Sequence, residues 1–289
     1  MHYLITVLSK EGQDIKEQLA PFQENNEGDC PKEYLEFVSV TEKEKKIYEN
    51  DIVERVKLAD GSLVSPWDDC LFREITKEEY EEYEKQDKPC SCLYHSNIAD
   101  KPFYGIRDLE HIGAVKVEIP YKELYPTFEE YMKKTSSRKF DEEMQDYGYW
   151  ENPNAKWDWY LIGGRWSDRL VAKDGVTGKK GEPSLICSYT LSADNTYSSL
   201  KIKDIDWEHI KMKDFKSYGV LTPDGIWKDE KDTESHKKWY ELINSDNSSD
   251  YAERRKLRDK SAEEWKEMYQ EIMSKADPEW TLTVVDIHI

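Results

Sequence analysis

Long apolar runs are missing from this chain. No stretch approaches the roughly 20 consecutive apolar residues that span a bilayer, and the opening Met-His-Tyr-Leu-Ile lacks the extended apolar core of a signal peptide. Cysteine is scarce as well. Cys30, Cys70, Cys90, Cys92 and Cys187 form an odd, scattered set that does not read as a disulfide framework. Together these shortages point to a reducing cytoplasm and to no membrane partner. Positive charge is the third shortage: 42 basic side chains stand against 61 acidic ones, for a net charge of −19. Contact with a nucleic-acid backbone neutralises phosphates with Lys and Arg, so general DNA or RNA binding is not expected. Walker, dinucleotide, nucleophile-elbow and paired-histidine zinc motifs are also absent, which removes the common enzyme classes that carry them. Cys90-Ser-Cys92 with His95 is the one cluster resembling metal ligands. Its spacing is irregular for the usual zinc fingers and no second pair adjoins it, so neither metal nor cofactor is expected.

What is present is charge and aromatic surface. Charged residues make up 36% of the chain, against about a quarter in an ordinary domain. The 19 Tyr, 10 Trp and 7 Phe exclude wholesale disorder, because disordered segments are poor in aromatics. The 289 residues suffice for one large domain or two modest ones. With no repeat and no Pro- or Gly-rich linker, the chain reads as a single domain over 1–289.

Alternating patterns predict strands over residues 2–8, 113–120, 185–191 and 280–289, with hairpins about Asp60-Gly61, Asp174-Gly175 and Pro223-Asp-Gly225. Helical spacing is read near 15–19, as one or two charged helices over 31–50 with Thr41 as a cap of the second, over 76–85 and over 127–134. Two more helices follow over 233–275, interrupted by a polar turn at 244–250. In the second of these, Tyr251, Leu257, Trp265, Met268, Tyr269 and Ile272 form a loose stripe that reads as core. Strands at both ends with helices between them suggest that the termini share one sheet. The expected fold is α+β: an antiparallel or mixed sheet, with a ferredoxin-like core as the working topology, covered on one face by helices, with 233–275 packed on the sheet.

The chain concentrates its aromatic surface in Asn152-Pro-Asn-Ala-Lys-Trp-Asp-Trp-Tyr-Leu-Ile-Gly-Gly-Arg-Trp166, since four of the ten tryptophans lie between Trp150 and Trp166. After an Asn-Pro-Asn turn, the residues alternate as in a strand that ends at Gly163-Gly164. Two consecutive glycines let the backbone turn with positive φ or press against a ligand. Arg165 follows with a planar cation, and Trp159 or Trp166 offers a ring for it to stack on. One short run thus supplies stacking faces, amide donors, a cation and a carboxylate, which are the components of a nucleotide or phosphate site. The candidate ligand-binding residues are Asn154, Lys156, Trp157, Asp158, Trp159, Tyr160, Gly163, Gly164, Arg165 and Trp166. The plainer reading stands beside it: tryptophans fill cores, Gly-Gly makes turns, and an Arg near an Asp makes a structural ion pair.

Lys156-Trp-Asp-Trp-Tyr-Leu-Ile-Gly-Gly-Arg-Trp166, with Leu19-Ala-Pro-Phe-Gln-Glu-Asn-Asn26, resembles a family of small proteins encoded by bacteriophages and mobile elements. The resemblance covers the N-terminal arm and the middle of the chain, and the last hundred or so residues carry no match. It implies a viral accessory protein working in the host bacterial cytoplasm against host immunity, by sequestering or cleaving a nucleotide signal or by blocking a defence protein. Two functional classes follow. In the first, the Trp-rich motif sequesters a nucleotide-like ligand, with cleavage as a variant in which Asp158 or His95 moves a proton. In the second, the acidic surface meets a basic host protein and the motif only braces the fold. Self-association is compatible with both.

Overall fold

The computed structural model describes residues 1–26, 28–85, 93–96, 103–107, 109–184, 194–210, 217–245 and 250–289. Their contacts form two compact units, one made of residues 1–36 and 150–289, the other of residues 37–149. The sequence was read as one domain because neither boundary carries a linker signature: Glu36-Phe37 and Tyr149-Trp150 lie inside aromatic, strand-like stretches.

The first unit is built on a seven-stranded mixed sheet. Its two central strands are the chain termini, His2–Ser9 and Thr281–His288, paired antiparallel along their whole length from His2 opposite His288 to Ser9 opposite Thr281. The terminal strands therefore share one sheet, as their alternating patterns suggested. Beyond His2–Ser9 the sheet continues with Gly219–Leu221, in parallel, and then Trp227–Asp229. On the other side, Trp159–Gly164 and Ser199–Lys201 pair with successive stretches of Thr281–His288, and Glu182–Pro183 forms the edge. From Thr281–His288 outward through Gly219–Leu221, the pairings run antiparallel, parallel, antiparallel, the senses of a ferredoxin-like sheet. The order of the hairpin departs from that topology, because its first strand, not its second, lies beside His2–Ser9.

Both faces of the sheet are covered. Leu4, Leu8, Val220, Leu282 and Val284 pack with Trp265, Tyr269 and Met273 of the long helix Tyr251–Lys275. These three lie at helical spacing, so they present one stripe, and fully burying each such side chain contributes about 1.5–3 kcal/mol. Trp265 Nε1–H donates to the Ser217 carbonyl at 2.8 Å, and the Tyr269 hydroxyl lies 3.2 Å from Thr6 Oγ1. Burial pushes the Tyr269 phenol well above its ordinary pKa, so the group stays neutral. Tyr251, the first residue of the expected stripe, is exposed at the helix start. The helix Glu234–Ile243 packs on Tyr251–Lys275. The opposite face buries Ile5, Val7, Val285 and Ile287 under Leu19, Phe22 and Trp157. Sequence reading had assigned cover to one face only. The second cover is made of the short helix expected near 15–19, Ile15–Leu19, and of the turn Ala20–Phe22 that continues it.

The turn expected at Asp174-Gly175 is present, with Val176 N–H bonded to the Lys173 carbonyl, but Leu170–Val171 pairs with Thr196–Tyr197 and not with the chain just after the turn. The strand expected over 185–191 lies outside the described residues.

In the second unit, Ile52–Lys57 pairs with Leu63–Val64 around the Asp60-Gly61 turn and with Val115–Pro120, over a small core of Val56, Leu71 and Ala114. Helix Lys77–Glu84 opens with a reciprocal capping box between Thr76 and Glu79. Thr41 was expected to cap the helix Thr41–Asn50. It sits instead in the first turn, and its hydroxyl bonds the Asp146 carboxylate.

Candidate functional site

The Trp-rich motif and the segment Leu19–Asn26 touch one another. Trp157 Nε1–H donates to the Leu19 carbonyl at 3.0 Å, Lys156 N–H to the Phe22 carbonyl at 2.8 Å, and Glu24 N–H to the Trp157 carbonyl at 2.7 Å. The buried Asn152 side chain donates to the carbonyls of Pro21 and Gln23 at 2.8 and 3.0 Å, and Asn25 donates to the Trp150 carbonyl at 2.7 Å. These bonds satisfy the backbone of a loop that has no sheet partner of its own. The first half of the Trp-rich motif is therefore a brace. Trp157 is only 7% exposed and packs edge-to-face on Tyr160, with centroids 5.0 Å apart. Lys156 reaches the buried Asp229 carboxylate at 3.5 Å, and Asn154 N–H donates to Asn152 Oδ1 at 2.9 Å.

The second half turns toward a different place. Trp159 lies opposite His288 in the sheet, and His288 lies opposite His2, so the three side chains stand in a row on the face that carries Leu4 and Val284. Asp286 stands two residues along from His288 on the same face. Its side chain is fully buried, and it accepts from His2 Nδ1 at 2.9 Å and from the Arg165 backbone N–H at 2.9 Å. His288 Nδ1 donates to the Asp158 carboxylate at 2.8 and 3.0 Å. Two His–Asp pairs thus stand side by side, with imidazole centroids 5.1 Å apart and the Trp159 ring 5.7 Å from His2. Because a carboxylate only accepts, each imidazole carries its hydrogen on Nδ1 and turns Nε2 outward. The Met1 amine lies 3.2 Å from His288 Nε2. Among the described residues, His2 Nε2 has no hydrogen-bond partner. Trp159 is 45% exposed and the His288 side chain 40%, so ring faces and ring nitrogens meet solvent here.

Gly163 and Gly164 shape the wall of this site. Both have positive φ, +87° and +53°, and a Cβ on Gly164 would fall 2.3 Å from Asp286 Cβ. The absence of that carbon lets Asp286 press against the turn and receive the Arg165 N–H. Only three buried side-chain polar atoms among the described residues lack a hydrogen-bond partner, and two of them lie on this turn: Arg165 Nε and Ser167 Oγ. Leaving such a donor unmet costs about 1–3 kcal/mol, which makes the turn an incomplete polar surface. Among the described residues, the ion pair of the plainer reading is not found for Arg165. Next to the turn, Asp168, itself at φ +55°, accepts from Gly181 N–H at 3.1 Å and exchanges hydrogen bonds with Ser198.

Of the ten residues nominated from sequence, Asp158, Trp159, Gly164 and Arg165 surround the His–Asp pairs. Trp157 and Tyr160 face the opposite core, Gly163 supports the turn behind the site, and Trp166 packs against the helix-side cluster. Sequence reading missed His2, Asp286 and His288, which are brought together only by pairing of the chain ends. The signal was available in the terminal strands themselves: once they pair, His2 and the period-two couple Asp286 and His288 must share a face. Cys90, Cys92, Cys187 and the His95 side chain lie outside the described residues. Among the described residues, no group of three or more His, Cys, Asp or Glu is arranged to hold a metal ion, and no helix is long and apolar enough to cross a membrane.

A recess of about 220 Å³ lies between Tyr218, Lys231, His236, Trp239 and Arg258. Burial and the nearby Asp229 push the Tyr218 phenol up to about 12.

No protein-family profile, curated protein or solved structure matches this chain. The chain is an α+β protein in which two His–Asp pairs stand side by side at one end of the sheet formed by its terminal strands.

Proposed function

We propose that the chain binds a nucleotide-like phosphate ligand at this site, as an accessory protein of a bacteriophage or mobile element that withdraws a nucleotide signal from host defence. The binding part is supported by one observation above the others: the buried, unpartnered Arg165 Nε lies on the turn that Asp286 holds, while the row formed by exposed Trp159 and the two imidazoles begins from the same carboxylate. A phosphate supplies the acceptor that the guanidinium lacks, and Trp159 supplies a face for a base. Each carboxylate of the site is engaged by a histidine, so neither stands free to repel an incoming phosphate. The setting in host defence is supported by the motif resemblance alone.

The test is a thermal-shift screen with cyclic dinucleotides, cyclic ADP-ribose isomers and linear nucleotides. A ligand present at a hundredfold excess over its dissociation constant stabilises the fold by about 2.7 kcal/mol. Arg165→Ala is expected to erase that shift. The melting temperature without ligand should barely move, by the equivalent of about 0.5 kcal/mol or less, because the substitution removes a donor that has no partner. A large loss of stability without any ligand effect, or no shift with any nucleotide, contradicts the proposal.

A further inference from the structure

The doubling of the His–Asp pair is more than binding requires. A phosphate needs donors, and one protonated imidazole beside Arg165 supplies them. Here two imidazoles stand at register-paired positions of adjacent strands, 5.1 Å apart, each with Nδ1 fixed on its own carboxylate. Fixing Nδ1 fixes the tautomer, so each ring accepts or gives a proton at Nε2, which has no partner among the described residues on His2 and lies 3.2 Å from the Met1 amine on His288. One of the orienting carboxylates, Asp286, is fully buried and is itself held by the Arg165 backbone N–H. Such a carboxylate is a rigid positioning group, comparable to the third member of a nucleophile–base–orienter relay.

We infer that the site hydrolyses a phosphodiester bond of its nucleotide by paired acid–base catalysis, with His2 and His288 as the catalytic residues and Asp286 and Asp158 as positioning residues. The inference rests on the nucleotide reading of the site. In the step, the neutral imidazole takes a proton from water at Nε2 and the water oxygen forms a bond to phosphorus. The bond from phosphorus to the leaving ribose oxygen breaks, and its electron pair stays on that oxygen. The protonated imidazole delivers its Nε2 proton there. One water is consumed, one phosphodiester becomes a phosphomonoester and a hydroxyl, and exchange with solvent restores the two rings. Arg165 faces the charge on the phosphoryl oxygens, and Trp159 holds a base beside the reacting centre.

The experiment incubates the full chain with cyclic di-AMP, cyclic di-GMP and the linear dinucleotide ApA, and resolves products by anion-exchange chromatography, with binding measured separately by thermal shift. The wild-type chain is expected to convert at least one bound probe to a product with a terminal phosphate. His2→Gln and His288→Gln should each slow that conversion by about 100-fold or more at saturating probe, and added imidazole should restore part of the lost rate. If the wild-type chain binds a probe but returns it intact, or if either glutamine variant keeps the wild-type rate, this inference fails and the binding proposal stands. If no probe binds, both fail.

Discussion

Replacing Trp157 with alanine is expected to lower the stability of the first unit by about 3–5 kcal/mol, as for other large aromatic residues removed from a core. The ring is 7% exposed and fills the space between Ile5, Leu19, Phe22 and Val285. Its Nε1–H also satisfies the Leu19 carbonyl. Alanine removes both the ring and the hydrogen bond, and it leaves the segment Ala20–Phe22 resting on a cavity. Urea unfolding measures the loss, and a change below about 1 kcal/mol would mean that the ring is not part of the core. Trp159→Ala makes the control. Its ring is 45% exposed, so its loss should cost little stability and should instead weaken nucleotide binding.

Gly164→Ala is expected to be comparably severe, about 3–5 kcal/mol, for a different reason. The position has φ +53°, and the added methyl meets Asp286 Cβ at 2.3 Å and Oδ2 at 2.4 Å. Strain in the backbone contributes about 1–2 kcal/mol. The overlap adds more, because a fully buried carboxylate has no free direction in which to move, and any movement breaks its bonds to His2 and to the Arg165 N–H. The comparison is Gly175→Ala, at φ +76° with no atom within 4 Å of the added carbon, where only the backbone strain remains. If both substitutions cost the same in chemical denaturation, Asp286 is not packed against the turn as described.

The two halves of the Trp-rich motif show how far sequence could carry the account. Alternation over 157–162 gave the strand, and Gly163-Gly164 gave its end, because both depend on local spacing. Which tryptophan was buried did not follow. Trp157 and Trp159 are the same residue type two positions apart, and the bridge from Gln23 to Trp157 just before the strand decides that Trp157 turns under the N-terminal segment. The pairing of the termini was legible from their alternation, yet the His–Asp pairs went unread, since His2 and Asp286 are 284 positions apart. The hairpin at Asp174-Gly175 failed for the opposite reason: a correct local turn does not determine which strand returns to pair. The division into two units left no trace at all, because the inserted residues 37–149 enter and leave through ordinary strand-like sequence.

A nucleotide phosphate bound as proposed lies at the end of the sheet, against His2, His288 and Trp159. The most direct measurement is a nitrogen–proton NMR titration of the chain labelled at its six histidines, carried out with the strongest nucleotide from the thermal screen. The ring signals of His2 and His288, assigned from their glutamine variants, are expected to move together and to saturate at one equivalent, with the Trp159 indole following and His236 of the recess beside Tyr218 unmoved. Saturating shifts at His236, with His2 and His288 unchanged, would place the ligand between Tyr218 and Trp239 and contradict the account.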